Sequence, residues 1–200
     1  MRIYWYNLNG EFMIIRNKEE SLYYLEKLGL NYFTEKVFDP TDNMLLSKVE
    51  EFLDENNQNI YVLRDPTKCS GKTFFNVSRE KVLELIKVYD NNFSIAVSSK
   101  AYGNYVLIGD IYISRDLEKF YLLASDNPSY NTRMVLRDPT WNISTNYYDK
   151  KIKYIPNIDK IIDYIFKHDL FDTVVEFSVY LERVGKYQEY VAIFELRTNY

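Results

Sequence analysis

Apolar residues recur at helical spacing in four stretches of the chain and alternate with polar ones in several others. Leu22, Leu25 and Leu28 share one face, with Asn17 and Glu20 as a capping pair before them and Gly29 as a left-handed stop after them. Leu45, Leu46, Val49, Phe52 and Leu53 form a second stripe, which Asp39-Pro40-Thr41 is expected to start, with Pro at the first helical position. Val82, Leu83, Leu85, Ile86 and Tyr89 follow Ser78 as cap, and Ile158, Ile161, Ile162, Ile165 and Phe166 follow Asn157. Burying the five side chains of the second stripe would contribute roughly 7–15 kcal/mol before chain entropy is subtracted.

Between these helices the period shortens to two. Phe93, Ile95 and Val97 alternate with polar residues, as do Thr173, Val175, Phe177, Val179 and Leu181. Extended runs are also predicted over 60–63, 105–113, 118–124, 132–137 and 187–197, and residues 31–38 read as extended. Two runs at 2–8 and 11–16 flank Asn9-Gly10, residues that tolerate positive φ and so predict a hairpin. Turns are expected at Gly103-Asn104 and Gly185-Lys186. Helices mixed with hairpin-linked strands predict an α+β fold with a mainly antiparallel sheet.

One phrase occurs twice, as Val62-Leu63-Arg64-Asp65-Pro66-Thr67 and as Val135-Leu136-Arg137-Asp138-Pro139-Thr140. At the same offset after each Pro come Phe74-Phe75-Asn76 and Tyr147-Tyr148-Asp149, which suggests an internal duplication. The repeated unit would be strand, Arg-Asp-Pro-Thr turn, helix, strand, strand, over about 60–115 and 134–199. With an N-terminal ββα extension over 1–59 and no Gly- or Ser-rich linker, residues 1–200 are expected to form a single domain in one compact body.

Composition narrows the chemistry. A net charge of −4 over 200 residues lacks the basic surplus that phosphate-backbone binding needs, so nucleic acid is not an expected partner. No stretch has the apolar length of a membrane helix, and the N-terminus has no signal-peptide pattern, so a soluble, cytoplasmic chain is expected. A single cysteine, Cys69, rules out an internal disulfide, and a single histidine, His168, rules out Ser-His-Asp and multi-His sites. Cys69-Ser70-Gly71-Lys72-Thr73 ends like a phosphate-binding loop, but Pro66 stands where the leading Gly is required. Asp65, Asp110, Asp116 and Asp138 are carboxylates of the kind that gather around a divalent ion, though their spacing lends this no support. No catalytic residue, metal or cofactor is assigned.

In the repeated phrase, Pro66 and Pro139 end a hydrogen-bonded ladder, while Asp and Thr satisfy the following turn. On this structural reading the Arg folds over the sheet or pairs with a carboxylate. On a functional reading Arg64-Asp65 and Arg137-Asp138 line a groove that holds a carboxylate or phosphate, walled by Trp141, Tyr147 and Tyr148. Twenty tyrosines in a mildly acidic chain favour a different activity. Tyrosine supplies contact area at low entropic cost, and negative charge steers toward basic partners. The sequence is accordingly expected to be a non-enzymatic inhibitor of immunity-protein or anti-defence type, capturing another, basic protein. The alternative is an anionic-ligand binder or enzyme built on the Arg-Asp groove. Oligomeric state is left open.

Overall fold

The computed structural model describes residues 14–57, 60–66, 72–99, 103–130, 132–184 and 188–198. The hairpin expected around Asn9-Gly10, the Gly185-Lys186 turn and Cys69 with its flanking Thr67 to Gly71 lie outside them. The fold is α+β, with two antiparallel sheets and their helices. The chain divides into two compact units, one of Asn17–Glu19 with Phe33–Gly103 and one of Met1–Arg16, Glu20–Tyr32 and Asn104–Tyr200. Among the described residues no helix is long and apolar enough to cross a membrane.

The smaller unit carries β1 (Glu35–Phe38), α2 (Leu45–Glu55), β2 (Tyr61–Arg64), β3 (Thr73–Val77), α3 (Arg79–Leu85) with a 3₁₀ turn at Ile86–Val88, and β4 (Phe93–Val97). Its sheet order is β1-β4-β2-β3, so β4 is internal and all five of its residues are buried. Alternation sends Phe38, Tyr61, Leu63, Phe93, Ile95 and Val97 toward α2 and α3, where they meet Val49, Phe52, Leu53, Val82 and Ile86. Ser78 caps α3 as predicted, accepting from the Lys81 N–H at 3.3 Å. The second helix starts later than the sequence suggested. Asp39 Oδ1 accepts from both the N–H and the hydroxyl of Thr41, at 2.8 and 2.7 Å, which closes a local turn instead of capping a helix. Three of the five stripe residues, Val49, Phe52 and Leu53, are fully buried, and Leu46 is exposed. That lowers the stripe's contribution to roughly 5–9 kcal/mol.

The larger unit carries most of α1 (Lys18–Lys27), then β5 (Tyr105–Ile113), β6 (Phe120–Ser125), α4 (Thr132–Arg137), β7 (Trp141–Thr145), a 3₁₀ segment at Lys150–Tyr154, α5 (Ile158–His168), β8 (Val174–Val184) and β9 (Glu189–Arg197). Its sheet order is β7-β6-β5-β8-β9. Ile158, Ile161 and Ile165 of α5 and Leu25 of α1 pack on the face formed by Leu107, Ile111, Phe120, Phe177, Val179 and Ile193. Glu20 of α1 accepts from the Arg16 N–H at 2.6 Å, one residue before the Asn17 that the sequence paired with it, and Gly29 takes φ +63° after the helix end, as predicted. Asn157 precedes α5 as expected but caps through a left-handed backbone, φ +59°, with no side-chain hydrogen bond.

The two copies of the repeated phrase do not fold alike. Val62-Leu63-Arg64 lies in β2, with Leu63 fully buried, whereas Val135-Leu136-Arg137 closes α4, with Leu136 exposed. The strand expected over 132–137 is therefore a helix. In β2 the neighbours β3 and β4 supply ladder partners on both sides and a period-2 pattern. In α4 only Val135 of the described side chains is buried, which a single helical turn achieves. Both elements stop before Asp-Pro, because the residue before Pro is disfavoured in helical geometry and Pro cannot donate to a ladder. The aromatic pairs diverge too: Phe74-Phe75 lies within β3, while Tyr147-Tyr148 lies in the turn after β7. β8 and β9 form a hairpin, but β4 and β5, their expected counterparts, belong to different sheets.

Candidate functional site

In the larger unit, β5 pairs with β8 so that Asp110 faces Glu176, and β8 pairs with β9 so that Glu176 faces Glu195. Three carboxylates thus form one cross-strand row. Strand alternation places Asp110 on the opposite face of the sheet from its neighbour Ile111, which points to the α1 and α5 side. Arg197, two residues after Glu195 on β9, donates through Nη2 to Asp110 Oδ2 at 2.7 Å and lies 3.9 Å from Glu176 Oε2. Only 9% of Asp110 is exposed. One guanidinium therefore serves three carboxylates in a largely desolvated place.

This imbalance of charge sets the protonation states. Burial, then the Glu176 charge, push the Asp110 carboxyl up to about 7, against the opposing pull of Arg197. Burial alone would lower the Arg197 guanidinium, but Asp110, Glu176 and Glu195 together hold it above its ordinary value. Asp110 can thus take up and release a proton near neutral pH, the property that a general acid or base requires. Since its folded value lies above the unfolded 3.8, the folded protein binds the extra proton, and stability falls as pH rises from about 4 through about 7. D110N is expected to remove that slope. Urea midpoints measured at several pH values check it, and a slope unchanged in D110N contradicts the assignment.

Of the residues that the sequence singled out, Arg64 and Asp65 lie in the smaller unit and Arg137, Asp138, Trp141, Tyr147 and Tyr148 in the larger. Arg64 projects from β2 on the sheet face away from α2 and α3, and its Nε donates to Glu35 Oε1 at 2.9 Å. Burial alone would raise Glu35, but the charges of Arg64 and Lys18 and hydrogen bonds from Arg64 and Ser94 hold it at about 2. Arg64 therefore pairs with a carboxylate, as the structural reading proposed. Asp65 is half-buried, its N–H bonded to the Lys72 carbonyl at 3.2 Å. Arg137 is exposed at the end of α4, and Asp138 accepts from the Tyr130 hydroxyl at 2.8 Å. Trp141 and Tyr147 pack against the larger unit's core, and Tyr148, 73% exposed, meets Tyr147 edge-on at 5.7 Å. Among the described residues no three His, Cys, Asp or Glu side chains are placed to hold a metal ion. His168 is half-buried against the Tyr164 ring at 4.4 Å, which fits a packing role.

Glu176, Glu195 and Arg197 were not among the residues singled out from the sequence. Their signal was present as charged residues inside otherwise apolar strands, such as Asp110 within Val106 to Ile113.

No family model and no curated protein matches the chain. Solved structures do. N5-carboxyaminoimidazole ribonucleotide synthetase, PurK, solved as an ADP complex, superposes with a TM-score of 0.50 at 15% identity, over 92% of this chain and 45% of that one. The fold is shared with that synthetase. D-alanine-D-alanine ligases from Coxiella burnetii (TM-score 0.47, 14% identity, 90% of this chain and 46% of that one) and Helicobacter pylori (0.46, 16%, 91% and 53%) also match. The chain spans about half the length of these structures. The fold shared with that synthetase overturns the expectation of a non-enzymatic inhibitor of immunity-protein or anti-defence type: tyrosine abundance and acidity describe a composition that many folds share.

Proposed function

We propose that the chain binds an anionic small molecule of the nucleotide class and acts as a ligase- or synthetase-type enzyme, with Asp110, Glu176, Glu195 and Arg197 as its polar centre. The observation that carries this reading is the cross-strand carboxylate row around Arg197, set in a fold shared with a synthetase solved with ADP. Arg197 offers planar, paired donors suited to phosphate or carboxylate oxygens, and Asp110, when protonated, lessens the opposing negative charge of the row. Asp110, held near neutrality, moves a proton to or from the reacting group. Arg137, exposed at the end of α4, is the repeated phrase's contribution to anion binding in this reading. Arg64 is already committed to Glu35.

Thermal denaturation with ADP tests it. At about 100 times its Kd, ADP is expected to stabilise the protein by about 2.7 kcal/mol. R197K keeps the charge but loses the guanidinium fork, and is expected to abolish most of the shift. A melting curve indifferent to ADP, ATP and pyrophosphate sinks the proposal.

A further inference from the structure

A concavity lies in the larger unit, away from the carboxylate row. It is a cleft of about 640 Å³ between the turn after β7, the 3₁₀ segment and the first turns of α5. Its volume falls within the roughly 300–1,000 Å³ usual for small-molecule sites. Because α5 packs on the opposite sheet face from Asp110, the two places are separate. The cleft has two kinds of wall. One is aromatic, from Tyr147, Tyr148 and Tyr154, of which Tyr148 and Tyr154 are 73% and 83% exposed, an unusual outlay of large rings on a surface.

The other wall is negative. Asp149, Asp159 and Asp163 stand against Lys153, three carboxylates to one ammonium, a lining charge of −2. Asp149 is engaged by Thr145 and by the Lys151 N–H. Asp159 and Asp163 lie four residues apart on α5, where like charges repel. Both are exposed, and among the described residues no salt bridge engages them. The Asp163 charge reaches the aromatic wall, since after burial it is the next influence raising the Tyr147 phenol.

Exposed ring faces beside unneutralised carboxylates complement one ligand chemistry: a positive centre on an apolar stem, attracted by the rings' quadrupoles and by the charges together. We infer that this cleft binds a small organic cation bearing an ammonium or guanidinium group. The inference does not rest on the ligase reading, and its test separates the two.

Putrescine and agmatine are the probes, titrated calorimetrically into the full chain at about 0.15 M salt, where charges farther apart than about 8 Å are screened. Saturable binding in the millimolar range or tighter is expected for at least one of them. The D159N/D163N double variant relieves repulsion on α5 and gives up the favourable first-turn charge of Asp159, small opposing effects on exposed side chains that keep the fold. It is expected to weaken binding at least about tenfold, a loss of about 1.4 kcal/mol. Y148A is expected to weaken it about two- to fivefold. D110N is expected to leave amine binding unchanged. Absence of saturable binding by both probes overturns the inference. So does binding that survives D159N/D163N and Y148A, or that is lost in D110N, which would place the cation on the carboxylate row.

Discussion

Replacing Gly109 with alanine is expected to destabilise the protein by about 3 kcal/mol or more, the upper end of what overpacking costs. Gly109 sits mid-strand in β5, opposite Ala124 of β6. A Cβ added there would lie 2.1 Å from the Leu123 carbonyl oxygen, 2.7 Å from the Ala124 Cα and 2.8 Å from its Cβ. Two of these obstacles are backbone, so no side-chain rotation relieves them, and β5 and β6 must separate. Asp110 is the next residue on the strand, so the same displacement shifts the carboxylate row. For a chain of this size the loss corresponds to a melting temperature lower by roughly 6–12 °C. A G109A protein that melts with the wild type would mean that the two strands do not approach so closely.

Glu35→Gln is expected to cost about 3–5 kcal/mol, the usual penalty for removing one partner of a buried ion pair. The Glu35 side chain is 2% exposed and that of Lys18, 3.6 Å away, is 6% exposed. Arg64 completes the cluster, and Ser94 donates to Glu35 Oε1 at 2.6 Å. Without the carboxylate, a buried Lys18 and a partly buried Arg64 are left with no negative charge between them. The effect carries a pH signature. Glu35 is held at about 2 against 4.5 in the unfolded chain, so its contribution of about 3 kcal/mol is complete above pH 4.5 and lost as pH falls to about 2. Urea titrations of wild type and E35Q should therefore differ most near neutrality and converge toward pH 2. A gap of constant size at both ends would assign the cost to packing rather than to charge.

Local determinants were readable wherever the chain settles its own hydrogen bonds. Gly29 and Ser78 announce their helix ends because each bonds or bends within a few residues of itself. The start of α2 misled for a related reason: Asp39 satisfied its carboxylate on Thr41 and left Met44 at the helix boundary. The shared Val-Leu-Arg became a strand once and a helix once, since its own propensities are too even to decide. Flanking elements chose, β3 and β4 for Leu63 and the burial of Val135 for the second copy. The carboxylate row was illegible because it depends on register between β5, β8 and β9, and register across that span of sequence is fixed by packing alone.

The larger unit takes its pieces from both sides of the smaller one in sequence. Ile15 exchanges hydrogen bonds with Thr198, and the Asn31 amide reaches the Val191 carbonyl at 2.6 Å. On the ribosome, residues 33–103 therefore emerge complete while α1 still lacks the strands it covers. Leu25 and Leu30, fully buried in the finished protein, stay uncovered until β8 and β9 are translated. Through that interval the apolar face of α1 is open to misassociation.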